Sequence, residues 1–152
     1  MNLQEISDVF SVFHDGTPQD WKIKDGNLTL RISCLYLAEL VSAEFEFFNL
    51  EVLNIKNFEY KPWEPFDINH SQLTTEEQLN KCDFEIITSK LREDRIEIIC
   101  HEHSDFFGTP GGDILLSASG VTISAEDRRN ITRKELLDIS TAYWDKFGKK
   151  KE

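Results

Sequence analysis

The chain has 152 residues, 39% of them hydrophobic, and carries 28 acidic against 17 basic side chains, for a formal net charge of −11. Its eleven Phe, three Trp and three Tyr supply enough large apolar surface for a buried core, which argues against an intrinsically disordered chain. Because so negative a surface repels phosphate groups, we expect neither nucleic acid nor an anionic membrane as a partner.

The cysteines and the N-terminus indicate a cellular compartment. Cys34, Cys82 and Cys100 are an odd number without CxxC spacing, which favours a reducing compartment over a secreted disulfide framework. The N-terminus has no basic region followed by an apolar run, and no window approaches the roughly 18 apolar residues of a membrane span. We therefore expect a cytoplasmic protein, and the length is typical of one domain spanning residues 1–152.

The first predicted element is a helix. Residues 2–13 carry apolar side chains at spacings of three and four, from Leu3 to Phe13, which is one stripe along an amphipathic helix. The run His14-Asp15-Gly16 ends it, and Thr17-Pro18 predicts a turn. The N-terminal helix is therefore expected to pack its apolar stripe on the rest of the domain.

A β-hairpin is predicted next. Asp25-Gly26 is the residue pair that a type I′ turn needs, because both of its central positions take positive φ. With these residues in the turn, Ile23 faces Leu28 and Trp21 faces Leu30. Strand alternation then places the apolar side chains of both strands on one face, so turn chemistry and hydrophobic pattern predict the same register.

Residues 35–60 allow more than one interpretation. Residues 35–41 fit either a short helix or a bent strand. From Ala43 onward the chain has the composition of a strand, but its apolar face switches near Phe47-Phe48 and again near Val52-Leu53. A strand buried on both sides would explain the switches, and so would bulges that turn the chain over; we favour two strands with bulges.

The second half of the predicted sheet follows a loop over residues 62–82. This loop contains one short helix, for which Thr74 and Glu77 have capping-box spacing. A bend at Glu93-Asp94 is expected to join the first two of the four later strands. The last two are either separate strands or one strand that is kinked at Gly120. These strands are predicted at residues 83–91, 95–103, 113–119 and 121–124.

The last predicted element is a helix that completes the fold class. Thr132 and Glu135 again have capping-box spacing, a broad apolar face follows, and Gly148 occupies the position of a helix C′ residue. Taken together, the elements predict an α+β fold. We expect a single, mostly antiparallel sheet of about six to eight strands, with the N- and C-terminal helices packed on one face.

One run of residues has the composition of a metal site. His101, His103 and Asp105 are two residues apart, so in an extended chain they share a face, together with Glu97, and two imidazoles and a carboxylate suit zinc or another divalent metal. The run resembles the HxHxDH motif of metallo-β-lactamase-type hydrolases. Phe106 stands where the final His would be and no His follows it, so membership of that family is not predicted.

A second candidate site is the acidic, aromatic stretch between the predicted halves of the sheet. Tyr60 and Trp63 alternate there with Glu59, Glu64 and Asp67. Aromatic side chains supply buried area at protein interfaces and charges steer the partner, so this stretch is typical of a partner-binding surface. The alternative is a solvated face of the sheet whose aromatic side chains point inward.

The sequence therefore predicts a small acidic interaction domain that docks on a basic protein. Bacterial immunity proteins, which inhibit cationic nuclease toxins, share this size and charge. The alternative function is a metal-dependent enzyme or metal-binding protein that uses the His-x-His-x-Asp strand end. No catalytic residue and no cofactor other than such a metal is predicted. A small-molecule ligand is not favoured, because the aromatic residues suffice to fill a solid core.

Overall fold

The computed structural model describes residues 1–63, 75–104, 106 and 108–151. In these residues, helices and strands follow the α+β class that the sequence predicts. The helices are α1 (Leu3–Val12), α2 (Leu35–Val41), α3 (Glu76–Leu79) and α4 (Arg133–Lys151). The strands are β1 (Thr17–Lys24), β2 (Asn27–Ser33), β3 (Phe47–Leu53), β4 (Lys56–Pro62), β5 (Phe84–Arg92), β6 (Arg95–Glu102), β7 (Gly111–Ser117), β8 (Gly120–Ala125) and β9 (Asn130–Ile131).

Helices α1 and α4 begin at capping side chains. Asn2 Oδ1 accepts a hydrogen bond from Glu5 N at the start of α1 (2.8 Å), and Thr132 Oγ1 accepts one from Glu135 N before α4 (3.0 Å). Both predicted helices are therefore confirmed. α4 nevertheless continues through Gly148, because a single Gly costs a helix only about 1 kcal/mol and does not end it unless the chain also turns left-handed.

The short helices resolve two open points of the sequence. Residues 35–41 form α2 rather than a bent strand. α3 is capped one residue later than expected, since Thr75 Oγ1 accepts a hydrogen bond from Gln78 N (3.3 Å), and Thr74 lies outside the described residues.

The two hairpins that the sequence predicts form with the expected turns. Ile23 pairs with Leu28 across the Asp25-Gly26 turn, in which both residues have positive φ. The expected pairing of Trp21 with Leu30 is interrupted by a bulge before Lys22, yet Trp21 still enters the core and is only 4% exposed. In the second hairpin, β5–β6, the predicted pairs Leu91↔Ile96 and Lys90↔Glu97 are confirmed.

The strands form two antiparallel sheets, which corrects the expected single sheet. The five-stranded sheet has the order β1-β2-β3-β8-β9, and the four-stranded sheet has the order β4-β7-β6-β5. One two-stranded ribbon links them. One of its strands runs from β3 into β4, and the other runs from β7, which pairs with β4, into β8, which pairs with β3. The pairs Leu53↔Gly120 and Lys56↔Ser117 keep the same register on either side of a bend.

The bend explains the switch of apolar face near Val52-Leu53. Asn54 has a φ of +53°, and its Nδ2 donates to Ser119 Oγ on the other strand of the ribbon (2.8 Å). Ile55 N donates to Gly26 O (2.8 Å), so the turn of the first hairpin supports the bend. The chain therefore passes from one sheet to the other at this point, where a bulge within one sheet was expected.

The core lies between the two sheets and α1. It includes buried side chains of both sheets, of α1 and of α4, for example Phe48, Ile98, Phe10 and Leu136. α1 packs on β5 and β6, and α4 packs on α1 and α2. The segment before β1 is hydrogen-bonded to β5 of the other sheet. Asp15 N donates to Ile86 O (2.8 Å), and Ile86 N donates to Gly16 O (2.9 Å).

Candidate partner-binding surface

An exposed group of aromatic and aliphatic side chains lies where α2 meets the C-terminal half of α4. Leu40 is 51% exposed, and Trp144 and Phe147 are each 39% exposed. Large apolar side chains grouped in this way on a surface mark binding sites more often than single exposed residues do. We call this group the α2–α4 aromatic surface; it consists of Tyr36, Leu40, Tyr143, Trp144 and Phe147.

Local sequence explains why these side chains face outward. α2 has only seven residues, and it buries Leu37 and Ala38 while Leu35 and Leu40 lie on its other side. α4 is 19 residues long, and its first half supplies the buried Leu136. Side chains three and four apart share a helix face, so the aromatic residues near its end form a continuous stripe beyond the core.

Ring contacts hold the surface together. The Tyr36 and Tyr143 ring centroids are 4.6 Å apart, and Tyr143 stacks on Phe147 with an angle of 14° between the ring planes. Tyr36 Oη donates a hydrogen bond to His14 O (2.7 Å), which fixes the ring against the end of α1. Burial, followed by the neighbouring Cys34 thiol, raises the pKa of Tyr36, so its hydroxyl stays protonated and remains a donor.

A cavity of about 340 Å³ opens between the two helices of this surface. Tyr36, Leu40, Tyr143 and Phe147 line it, with Glu39 and Lys146 at its margin. Its size suits one or two inserted side chains of a partner, and its lining is mainly apolar.

Carboxylates border the α2 side of the surface. Glu39, Glu44 and Glu46 are exposed and form no ion pair with any described residue. Glu46 lies beside α2, because Cys34 N donates to Glu46 O (3.1 Å) at the start of that helix. Glu126 Oε1 accepts from Glu46 N (3.1 Å), which brings a fourth carboxylate to this acidic rim.

Those partner-binding residues predicted from the sequence that the structure describes, Glu59, Tyr60 and Trp63, lie elsewhere, on β4 and directly after it. Tyr60 is completely buried, with its ring 5.1 Å from that of Phe84. Trp63 is half-buried over Gly111, where a Cβ atom would come within 2.6 Å of the indole, and its Nε1 donates to Asp113 Oδ1 (3.0 Å). Glu64 and Asp67 lie outside the described residues.

Glu59 is the remaining described residue of that prediction, and two neighbouring cations compensate the charge of its carboxylate. Its Oε1 accepts a hydrogen bond from Arg95 Nη1 (2.8 Å), and Lys61 Nζ lies 3.5 Å away. Burial opposes ionisation, but the Arg95 hydrogen bond and the two positive charges outweigh it and lower the pKa of Glu59. A carboxylate already paired with two cations has little charge left to attract a basic partner.

The predicted metal ligands are only partly described. The rings of His101 and His103 lie 6.0 Å apart on the exposed strand end, and His103 Nε2 is 3.9 Å from Glu85 Oε1. Asp105 lies outside the described residues, and Glu97 is buried between Lys90 and Arg92. Within the residues that the structure describes, no group of three or more His, Cys, Asp or Glu side chains is arranged to hold a metal ion. The metal site stays a prediction.

Sequence reasoning missed the α2–α4 aromatic surface. The apolar face of the last helix was predicted. The sequence did not show that the core covers only part of this face. The signal was present in the composition of α4, in which Tyr143, Trp144 and Phe147 are followed only by Gly and Lys, with no further apolar residue to extend a buried stripe.

Comparison with known proteins adds no assignment. No protein-family model, no curated protein and no solved structure matches this chain. None of the helices in the described ranges combines the length and the apolar character needed to span a bilayer. Function is therefore inferred from the surface and its charges.

Proposed function

We propose that this protein is an interaction domain that docks on a basic protein through the α2–α4 aromatic surface. The observation that carries the proposal is an exposed aromatic surface next to carboxylates without a cationic partner in the described residues, on a chain with a net charge of −11. Aromatic anchors provide most of the binding energy in such interfaces, while surrounding charges determine the rate of encounter and the choice of partner.

The apolar part of the surface supplies the anchor. Leu40, Trp144 and Phe147 lose their remaining contact with water when a partner covers them, and removal of apolar surface from water contributes about 25 cal/mol per Å². Because ring contacts already fix Tyr36 and Tyr143, little side-chain entropy is lost there on binding. The surface is thus pre-organised for a partner.

The acidic rim selects a basic partner. Glu39, Glu46 and Glu126 keep their charges uncompensated by described cations, so a positively charged surface gains Coulomb energy on approach. Lys146 lies on the α4 side of the cavity and favours an acidic group at that one point of the partner.

A finer version of the proposal is an immunity-type inhibitor that neutralises a cationic toxin in the bacterial cytoplasm. Its support is the small size and acidity of the chain together with the exposed anchor. The three cysteines form no disulfide, and burial raises the pKa of Cys34 to about 11 and that of Cys82 to about 12. Protonated, unpaired thiols of this kind are typical of a reducing compartment.

Site-specific photo-cross-linking tests the proposal. A benzophenone amino acid placed at Leu40 is expected to cross-link a basic protein in native lysate, whereas the same probe at Leu91 is not. Leu91 is a matched control, because it is 41% exposed but lies on the β5–β6 hairpin. Cross-linked proteins that are no more basic than the lysate, or equal cross-linking from both positions, would contradict the proposal.

The cross-linked protein then provides a quantitative test. In isothermal titration with that purified partner, Leu40→Ser is expected to raise Kd by about tenfold or more, which corresponds to about 1.4 kcal/mol or more of lost anchor energy. Leu91→Ser is the control and should leave Kd within about twofold. Similar losses from the two substitutions would place the interface elsewhere.

A further inference from the structure

A second cavity, of about 380 Å³, lies on the outer face of the five-stranded sheet. Strand pairing sets two rows of outward side chains across this face, one running Lys22, Thr29, Glu51 and Thr122, the other running Arg31, Asn49, Ser124 and Asn130. Each row begins with a long cationic side chain, Lys22 or Arg31, and apart from Glu51 the side chains that follow are short and polar. The result is a polar depression with charged walls.

Two cations at the margins of this depression have no counterion among the residues that the structure describes. Lys22 on β1 and Arg128, in the turn between β8 and β9, form no ion pair with any residue that the structure describes, although both line the cavity. Arg31, by contrast, is paired with Asp20 at 2.6 Å. On a chain with a net charge of −11, two uncompensated cations facing one depression favour an anionic ligand.

The floor of the depression offers hydrogen-bonding groups. The hydroxyls of Thr122 and Ser124 and the amide of Asn130 bond to no other part of the described chain, so they are available to a ligand. Glu51 Oε1 accepts one hydrogen bond, from Asn27 Nδ2 (3.2 Å), and retains capacity to accept others. A carboxylate on the floor disfavours a bare anion but accepts hydrogen bonds from hydroxyl groups.

We propose that this depression binds a hydroxyl-rich small molecule carrying phosphate groups, of the class of sugar bisphosphates and nucleotides. Lys22 and Arg128 bind the phosphates, and Glu51, Thr122 and Ser124 bind the hydroxyls. β2 and β3 separate β1 from β8, and strands lie about 4.8 Å apart, so the two cations approach from walls about 14 Å apart. Long Lys and Arg side chains shorten that span to the length of such a molecule.

The sequence disfavours a small molecule held within the aromatic core, and the ligand proposed here would bind outside that core. An apolar ligand would have to displace the packed aromatic core, whereas the depression is polar and lies outside the core. The site is also separate from the α2–α4 aromatic surface, so the two proposals stand or fall independently.

Titration by two-dimensional NMR tests the site with defined probes. Fructose 1,6-bisphosphate and adenosine 3′,5′-bisphosphate are added to the ¹⁵N-labelled full chain, with fructose and inorganic phosphate as partial probes. We expect saturable shifts of amides in β2, β3, β8 and the turn at Arg128, with Kd in the range of about 0.1–5 mM for at least one bisphosphate. Fructose and phosphate alone are expected to bind at least tenfold more weakly.

Charge-matched variants separate a site from general attraction. Lys22→Gln/Arg128→Gln is expected to weaken binding at least about tenfold, since it removes two charge-assisted contacts to phosphate oxygens. Lys56→Gln/Lys134→Gln changes the net charge equally at exposed positions away from the depression and should leave Kd unchanged. No saturable binding of either bisphosphate, equal loss in both variants, or phosphate binding as tight as bisphosphate binding would each overturn the proposal.

Discussion

At the scale of single residues, the most unusual group is the carboxyl of Glu97 on the outer face of the four-stranded sheet. Glu97 is 5% exposed and shares a hydrogen bond with Asp113 on the neighbouring strand. Arg92 and Lys90 approach it to only 3.4 and 4.0 Å. Burial and the adjacent carboxyl of Asp113 therefore outweigh the two cations and raise the pKa of Glu97.

This raised pKa makes stability depend on pH. Glu97 binds its proton more tightly in the folded state than in the unfolded state. Its stabilising contribution is therefore complete at pH values below its pKa in the unfolded chain, and it is lost as the pH rises through its pKa in the folded protein. Glu97→Gln keeps a neutral hydrogen-bonding group and removes this titration. We expect the free energy of unfolding in urea to fall less between pH 4.5 and 7.5 in Glu97→Gln than in the wild type.

Glu59→Gln provides the comparison of opposite sign. Because the pKa of Glu59 is lowered, its contribution is present above the unfolded pKa and is lost as pH falls through the folded one. Removing it should therefore cost more stability at pH 7.5 than at an acidic pH below the folded pKa of Glu59. An unchanged pH dependence in Glu97→Gln would show that the Glu97–Asp113 pair titrates as it does in the unfolded chain.

At the scale of elements, α3 and its C-terminal capping residue Asn80 cover the β1 edge of the five-stranded sheet. Asn80 Oδ1 accepts from Trp21 N and Asn80 Nδ2 donates to Trp21 O, both at 2.9 Å, so this side chain replaces a neighbouring strand. Glu76 Oε2 accepts from Ile23 N (3.3 Å) two residues further along β1. Unpaired edge strands invite pairing with other chains, and these side chains of α3 occupy the edge instead.

Asn80→Ala is therefore expected to be destabilising. It removes two hydrogen bonds and leaves both backbone groups of Trp21 without their partner, which should lower the free energy of unfolding by about 1–3 kcal/mol. Glu77→Gln on the same helix is the control, because its weak ion pair with Lys81 (3.9 Å) is exposed and should contribute less than about 0.5 kcal/mol. Urea unfolding of both variants measures the difference, and equal stabilities would show that water replaces Asn80 without cost.

Elements with local signals were predictable from the sequence. Asp25-Gly26 and Glu93-Asp94 form turns where expected, and the capping residue of α4 was recognised, because turn and cap chemistry depends on only a few neighbouring residues. The division into two sheets was not predictable in the same way. The bend at Asn54-Ile55 contains neither Gly nor Pro, and it is stabilised by distant residues such as Gly26 and Ser119.

The candidate surface was missed for a related reason. Periodicity shows which side chains share a face of a helix, but not how far the neighbouring elements cover that face. α2 was ambiguous in the sequence, and without it neither the exposure of Leu40 nor its contact with α4 can be inferred. The predicted residue Tyr60 shows the converse case, since an aromatic beside carboxylates proved to be buried.

At the scale of the whole molecule, the charges are unevenly compensated. Carboxylates on the four-stranded sheet, such as Glu59 and Glu97, face cations within 4.0 Å. Glu39, Glu44 and Glu46, next to the α2–α4 aromatic surface, have no such partner among the described residues. These uncompensated carboxylates place negative potential beside the exposed apolar anchors, where it can steer a basic partner.

Stopped-flow association with the purified cross-linked partner tests this central claim most directly. We expect the association rate constant to fall several-fold between about 50 and 300 mM salt, as screening weakens steering. Glu39→Gln/Glu46→Gln should reduce both the rate at low salt and its salt dependence. Glu93→Gln/Asp94→Asn, which changes the charge equally on the β5–β6 turn, should reproduce the wild type. A rate that is indifferent to salt, or equal in the two variants, would contradict docking at the acidic rim of the α2–α4 aromatic surface.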